Sequence, residues 1–221
     1  MSLAGIRAAI VDLDGTMVDT ARDFEAALDA ALADEGLPPA GIGFVLRTIG
    51  KGGENLVRQA LAVHGIDDAR RAAALLERYQ HHYGRFNGRF AQVLPGVPQG
   101  LSGLRQRGLV LACVTNKPAR FACDLLERCA LAPHFAHVFG ADAFARKKPD
   151  PLPMIEACRH LGHAPARVLA IGDSHNDAAA ARGAGCPLVL VHGGYNHGEP
   201  LDAALADAVI DRFDAVLALL A

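Results

Sequence analysis

Short apolar runs separated by longer amphipathic stretches are what most limits how this chain can fold. Residues 8–13, 110–115, 168–172 and 187–191 have the length and composition of buried strands, with a weaker candidate at 208–210. Helical patterns lie at 97–107, 118–129, 151–161 and 174–184, and the last three open at or near Pro or Ser, as helices often do. A closing helix is expected over 213–220. Strands that alternate with helices in this way imply an α/β fold, a doubly wound parallel sheet of Rossmann-like type with helices on both faces. Residues 18–94 break the rhythm. They read as helices only, at 23–35, 42–48, 54–64 and 68–84, with Ala27, Ala31 and then Leu56, Ala60, Val63 at helical spacing. The expected organisation is a sheet domain over 1–17 and 95–221 that carries a helical insertion at 18–94, with Leu94-Pro95-Gly96 marking the return.

In an open parallel sheet, ligands bind beyond the carboxyl ends of the strands. The first strand runs into Asp12-Leu13-Asp14, the second into Thr115-Asn116-Lys117-Pro118, and the third into Gly172-Asp173-Ser174-His175-Asn176-Asp177. A further polar cluster, Lys147-Lys148-Pro149-Asp150, precedes the helix at 151. Each has an ordinary explanation taken alone: a solvated turn, a helix cap, an exposed basic face, or acids favoured by a helix N-terminus. Their convergence on one rim is what points to chemistry.

Asp12, Asp14, Asp173 and Asp177 would crowd one edge, and like charges so close raise each other's pKa unless a cation neutralises them. An all-oxygen ligand set with room for water suits Mg2+. Asp12 is placed to serve as both metal ligand and nucleophile. Thr115, Asn116 and the backbone N–H groups that open the helix at Pro118 offer donors to a phosphoryl group. Lys148 offsets the negative charge, and Gly15 lets the chain turn tightly after Asp14, bringing backbone N–H groups towards an anion. Asp14, in an acid-rich and partly dry site, could hold a proton for a leaving oxygen and later take one from water. The reaction these groups suit is in-line phosphoryl transfer to Asp12, followed by hydrolysis of the aspartyl phosphate.

The ordered set Asp12-Leu13-Asp14-Gly15-Thr16, Thr115-Asn116, Lys148-Pro149 and Gly172-Asp173-x-x-x-Asp177 resembles the four motifs of the haloacid dehalogenase-like hydrolase superfamily. Order and spacing match over essentially the whole chain. The resemblance implies that the insertion is a helical cap, that Asp12 is the nucleophile and Asp14 the acid/base, and that Thr115 and Lys148 hold the phosphate. It also implies Mg2+ bound by Asp12, the backbone carbonyl of Asp14, and Asp173, with Asp177 helping directly or through water. More narrowly, residues 11–20, 49–53 and 194–198 resemble bacterial phosphoglycolate phosphatases, which implies 2-phosphoglycolate as first-choice substrate. Val11, Met17 and Thr20 depart from the frequent Phe, Leu and Ser of that group without touching a catalytic role. Lys51 replaces a residue that is often uncharged there, in the cap segment expected to face the substrate. It is a candidate contact for an anionic substrate group, although its flanking glycines could equally shape a turn that leaves it in solvent.

Other small phosphates (a sugar phosphate, an amino-sugar phosphate or pyrophosphate) are the alternative substrates. Mutase chemistry is disfavoured because Gly172 stands where that branch often carries Glu, and dehalogenation because it has no use for Asp14. A signalling receiver domain shares the Asp, Thr, Lys and Mg2+, but its phosphoacceptor follows a middle strand and it lacks a helical insertion. No Gly-x4-Gly-Lys-Ser/Thr occurs.

Composition adds no other class of partner to the small phosphorylated metabolite that the motifs and the resemblance imply. Net charge is -2, and the adjacent basic pairs Arg70-Arg71 and Lys147-Lys148 are too little for a nucleic-acid surface. No apolar run approaches the roughly 18 residues of a membrane span. The start of the chain lacks the pattern of a secretory signal, so a cytoplasmic location is expected. Five scattered cysteines without a Cys-x-x-Cys pair read as reduced thiols. Ten histidines without His-Glu-x-x-His read as surface or cap residues rather than a zinc site.

Overall fold

The computed structural model describes residues 3–220. In chain order it has β1 (Ala8–Val11), β2 (Val18–Asp19), α1 (Ala21–Asp34), α2 (Ile42–Thr48), α3 (Gly53–Val63), α4 (Ala69–Phe86), β3 (Gln92–Val93), α5 (Val97–Gln106), β4 (Val110–Val114), α6 (Ala119–Arg128), β5 (His137–Phe139), α7 (Leu152–Leu161), β6 (Val168–Gly172), α8 (His175–Ala184), β7 (Leu188–Val191) and β8 (Ala208–Ile210). Six strands pair in the order β5-β4-β1-β6-β7-β8, every pair parallel. This is the expected doubly wound sheet.

Strand alternation divides the core into two layers. Ala9 and Val11 of β1, Leu111 and Cys113 of β4, Leu169 and Ile171 of β6, and Val189 and Val191 of β7 pack on one face with α5 and α6. Ala8 and Ile10, Ala112 and Val114, Val168 and Ala170, and Leu188 and Leu190 pack on the other with α7 and α8. Successive side chains of a strand point to opposite faces, so a sheet covered on both sides needs such unbroken apolar runs. The register sets Val11 beside Cys113 and Ile171, so β1, β4 and β6 end at one level and deliver their polar tails to one rim.

Two expectations need correction. The closing segment Phe213–Leu220 is a 3-10 helix rather than an α-helix. Phe213, Val216 and Leu219 repeat every three residues and all pack against the core, which is the period of a 3-10 helix. A segment this short does not hold α geometry by itself, so packing decides. Edge strand β5 was not expected, because three half-buried residues that include His137 give no alternation to read.

Between β1 and β4 the helices α1 to α4 enclose their own core, with Leu28, Leu32, Leu56, Leu61, Leu75, Tyr79 and Tyr83 buried in it. Phe121 of α6 and Tyr195 join that cluster from the sheet side. The two connections to the sheet domain run side by side, because Val18–Asp19 pairs antiparallel with Gln92–Val93. Among the described residues, no helix is long and apolar enough to cross a membrane.

Buried Asp23 fastens the first of these helices to the returning chain: its carboxylate accepts from Gly88 N at 2.8 Å and Phe90 N at 2.7 Å. Asp23→Ala leaves both part-buried amides without this partner, at a cost of up to about 1–3 kcal/mol each where water does not replace it. An unfolding free energy from chemical denaturation lowered by a total of about 3 kcal/mol is the expected result. An unchanged midpoint would show that water replaces the carboxylate.

Candidate active site

Asp12 lies one residue beyond β1, held in line by its backbone N–H to the Ile171 carbonyl at 2.9 Å. Lys148 meets it from the loop before α7. The Lys148 ammonium is buried, 2.9 Å from Asp12 Oδ1 and 2.6 Å from Asp177 Oδ1, and donates to the Val114 carbonyl at 2.8 Å. Among the described residues no aligned hydrogen bond is made to buried Asp12 Oδ1, whose contact with Lys148 is an ion pair. Burial is the main cause that pushes the Asp12 carboxyl up to about 7; Lys148 opposes it and Asp177 adds to it. The same paired carboxylates keep the Lys148 ammonium charged despite its burial.

Asp173 and Asp177 both come from the turn into α8. Asp177 forms a capping box with Ser174: Ser174 Oγ donates to Asp177 Oδ2 at 2.6 Å, and the Ser174 N–H reaches the same oxygen at 3.2 Å. This is the ordinary helix-start role of such an acid, and the same side chain also meets Lys148. Asp173 accepts from Thr16 Oγ1 at 2.6 Å through Oδ1 and from Tyr195 N at 2.5 Å through Oδ2. Burial first, then Asp177 and Asp12, push its carboxyl well above the usual carboxylate range, while Thr16 and Tyr195 pull it back.

Asp12, Asp173 and Asp177 each turn a carboxylate oxygen towards a common point, these atoms lying within 4.8 Å of one another. Three hard oxygens, one of them the orphaned Asp12 atom or its neighbour, form a donor set that fits a divalent cation of Mg2+ type. Both oxygens of Asp177 accept, from Lys148, Ser174 and the Asp173 N–H, and both oxygens of Asp173 accept, from Thr16 and the Tyr195 N–H, so neither acid is free of protein partners.

Above the rim, the helical insertion closes a cavity of about 240 Å³. Asp12, Asp14, Thr115, Asn116, Lys148 and Asp173 line it from the sheet side, and Phe24, Gly50, Gly52, Tyr79 and Tyr83 from the insertion. Of the residues singled out in the sequence, Lys51, Gly15 and Asp177 do not line this cavity, and Asn116 lines it with its amide already committed. Lys51 is exposed and does not line the cavity, although Gly50 and Gly52 do. Both glycines have positive φ, so the turn presents backbone to the cavity and sends the intervening side chain to solvent. Lys147 occupies the place expected of Lys51: it lines the cavity and donates to the Lys51 carbonyl at 2.9 Å.

Gly15 supplies space rather than a donor. Its N–H is committed to the Val18 carbonyl at 2.9 Å, its φ is +85°, and a Cβ there would strike Asp173 and Tyr195. The Asn116 amide is likewise committed, donating to the Gly50 carbonyl at 2.9 Å and the Lys148 carbonyl at 2.8 Å. It braces the rim against the insertion. Thr115 Oγ1 accepts from Lys117 N at 3.2 Å and keeps its own proton available on the cavity wall.

The sequence reading gave no site role to Thr16, Thr20, Tyr83, Lys117 or Tyr195. Lys117 is buried and paired with Asp14, and its position directly after Thr115-Asn116 at a strand end was the available signal. The Tyr195 hydroxyl accepts from Thr20 N and Ala21 N at 2.8 and 2.9 Å and donates to the Asp19 carboxylate, so one loop joins Asp173 to the start of α1.

A family model described as haloacid dehalogenase-like hydrolase matches residues 6–185, and the chain belongs to that family. Among curated relatives, a phosphoglycolate phosphatase of Thiobacillus denitrificans is 39% identical over 209 residues, which cover 93% of this chain and 91% of that one. A plasmid-borne phosphoglycolate phosphatase of Cupriavidus necator is 43% identical over 215 residues, covering 96% and 92%. Among solved structures, a predicted phosphoglycolate phosphatase from Haemophilus somnus superposes with a TM-score of 0.91 at 29% identity, covering 97% of this chain and 98% of the other.

Lys148 is the sole ammonium in contact with Asp12 and Asp177 among the described residues. Lys148→Met strands these buried charges and is expected to destabilise the metal-free protein by about 3–5 kcal/mol. Denaturant titration in the presence of a chelator measures this. A loss below about 1 kcal/mol would mean that the carboxylates simply take up protons.

Proposed function

We propose that the protein is a Mg2+-dependent phosphatase that hydrolyses a small phosphate monoester, with 2-phosphoglycolate the first-choice substrate, through an aspartyl-phosphate intermediate on Asp12. The observation that carries this is the placement of Asp12 and Asp14 in a small cavity between the sheet rim and the helical insertion, with Lys148 and the Asp173/Asp177 carboxylates beside them. The choice of substrate rests on the two relatives of that name, which align over more than 90% of both chains. A cavity of about 240 Å³ with Lys117, Lys147 and Lys148 on its wall suits a compact dianion or trianion.

Residues 18–94 act as the cap over that cavity in this reading. Asp12 attacks phosphorus in line with the leaving oxygen, and the bond to that oxygen breaks as Asp14 gives it a proton. Lys148 holds Asp12 in its ionised, attacking form and offers charge to the phosphoryl oxygens, and the Thr115 hydroxyl donates to one of them. Water then attacks the aspartyl phosphate, Asp14 takes its proton, and the Asp12 carboxylate is regenerated as inorganic phosphate leaves. Mg2+, held by Asp12 and Asp173 with Asp177 in support, supplies charge neutralisation for the phosphoryl group and the crowded carboxylates. Packing of α1 and α4 over the rim keeps bulk water from the intermediate.

Steady-state hydrolysis of 2-phosphoglycolate, pyrophosphate, hexose phosphates and an amino-sugar phosphate, with Mg2+ and with a chelator, tests the proposal. Activity should vanish on chelation and in Asp12→Asn, and Asp14→Asn should lower kcat about 10²–10⁴-fold. Activity retained in Asp12→Asn sinks the mechanism. A kcat/KM for 2-phosphoglycolate far below the others removes the substrate assignment and leaves the phosphatase chemistry standing. Because the Lys51 side chain faces solvent, Lys51→Ala should leave kcat/KM within about twofold, as for a surface change away from the site.

A further inference from the structure

Lys117 is the buried cation that the mechanism above does not use. Its ammonium lies 2.8 Å from Asp14 Oδ1 and 2.5 Å from the Tyr83 hydroxyl, and it sits over the rings of Phe24 and Tyr83 at 4.7 and 4.8 Å. An ammonium only donates, so Tyr83 is the acceptor in that contact. Lys117 comes from the rim after β4, whereas Phe24 and Tyr83 come from α1 and α4 of the helical insertion. The ammonium's surroundings are therefore completed by the insertion, through two ring faces that attract a desolvated cation.

The contacts on Asp14 are one-sided. Oδ1 accepts from Lys117 and also from Thr20 Oγ1 at 2.7 Å. Among the described residues no hydrogen bond is made to Oδ2, and Asp14 lines the cavity. A carboxyl oxygen that already accepts two donors is a poor place for a proton, so the acid proton belongs on the other oxygen.

We propose that Lys117 is a positioning residue for acid catalysis. It pins Oδ1 of Asp14 so that Oδ2 presents the proton to the leaving oxygen, and Phe24 and Tyr83 hold it there. The reacting geometry is then complete only with the helical insertion seated on the rim. This inference rests on the phosphatase reading, but it does not depend on which phosphate ester is the natural substrate.

Leaving-group dependence separates this role from a structural one. An alkoxide must be protonated as it departs, whereas p-nitrophenolate leaves without a proton. The quantity to compare is kcat/KM, which covers the steps through leaving-group departure and is not masked by slow hydrolysis of the aspartyl phosphate. In Lys117→Met, kcat/KM should fall about 100-fold for alkyl phosphates, both with a carboxylate (2-phosphoglycolate) and without one (glycerol phosphate). For p-nitrophenyl phosphate it should fall less than about fivefold. Tyr83→Phe keeps the ring and removes the hydroxyl, and should show the same selective loss at about tenfold. If Lys117→Met does not fold, as judged by circular dichroism, Tyr83→Phe decides alone.

An equal loss on aryl and alkyl esters overturns the proposal and makes Lys117 structural. A loss confined to the carboxylate-bearing ester, appearing in KM, overturns it in favour of a site for the substrate's second anion. A wild-type protein that cleaves no phosphate ester overturns the phosphatase reading itself, and this inference with it.

Discussion

The rest of the site depends on the ion pairing of one buried ammonium, Lys148, with Asp12 and Asp177. That contact joins three segments that are remote in sequence: the end of β1, the loop before α7 and the first turn of α8. Its donation to the Val114 carbonyl adds the end of β4. A pair buried this deeply is not a source of net stability, because removing both charges from water costs about what their attraction returns. Its value is geometric. Breaking it strands a charge, so the four segments are tied to one arrangement. The parallel register of β1, β4 and β6 makes that arrangement possible, by ending three strands at one level.

The charges on the rim carry the argument further. Four carboxylates, Asp12, Asp14, Asp173 and Asp177, meet two buried ammonium groups, Lys117 and Lys148. The lysines are divided between them, one on Asp14 and one on Asp12 and Asp177. Among the described residues Asp173 has only neutral donors, Thr16 and the Tyr195 N–H. The excess of two negative charges is what a dication would balance, and without one the burden falls on protonation, with burial pushing Asp12 up to about 7 and Asp173 upward as well. A donor set left short of positive charge at the point where its oxygens converge is suited to a hard divalent ion.

Much of this was legible in the chain. Short unbroken apolar runs such as Ala8–Val11 and Val168–Gly172, alternating with helical patterns, fit strands buried on both faces, which places the polar residues after them on one rim. The helical insertion was legible because Leu56, Ala60 and their neighbours repeat at helical spacing. What was not legible depends on tertiary packing. Lys117 has only its place after Thr115-Asn116 to mark it in the sequence, and its surroundings are defined by Phe24 and Tyr83 from a distant part of the chain. Lys51 carries the right charge in the right turn, but positive φ at Gly50 and Gly52 turns it outward, and residue type alone does not reveal that. The 3-10 geometry of Phe213–Leu220 follows from how three side chains seat against the sheet domain, and β5 is too short to carry a pattern.

The turn around Lys51 also bears on how a substrate is selected. The Gly50 carbonyl is held by Asn116 Nδ2 at 2.9 Å and by Asn176 Nδ2 at 3.2 Å, one from the β4 rim and one from α8. Lys147 holds the next carbonyl, that of Lys51. The insertion thus meets the rim through its backbone, gripped by side chains of the sheet domain. A turn fixed in this way restricts the cavity by its shape, and the basic groups lining the cavity, Lys117, Lys147 and Lys148, all come from the sheet side. Tyr195 extends the same logic to the connections between the two parts. Its hydroxyl takes the first N–H groups of α1 while its N–H holds Asp173, so the angle at which α1 leaves the rim is set by the loop that also fixes a candidate metal ligand. Selection and chemistry in this chain are therefore not separable into an outer helical layer and an inner sheet: the groups that shape the cavity are anchored to the carboxylates that would do the work.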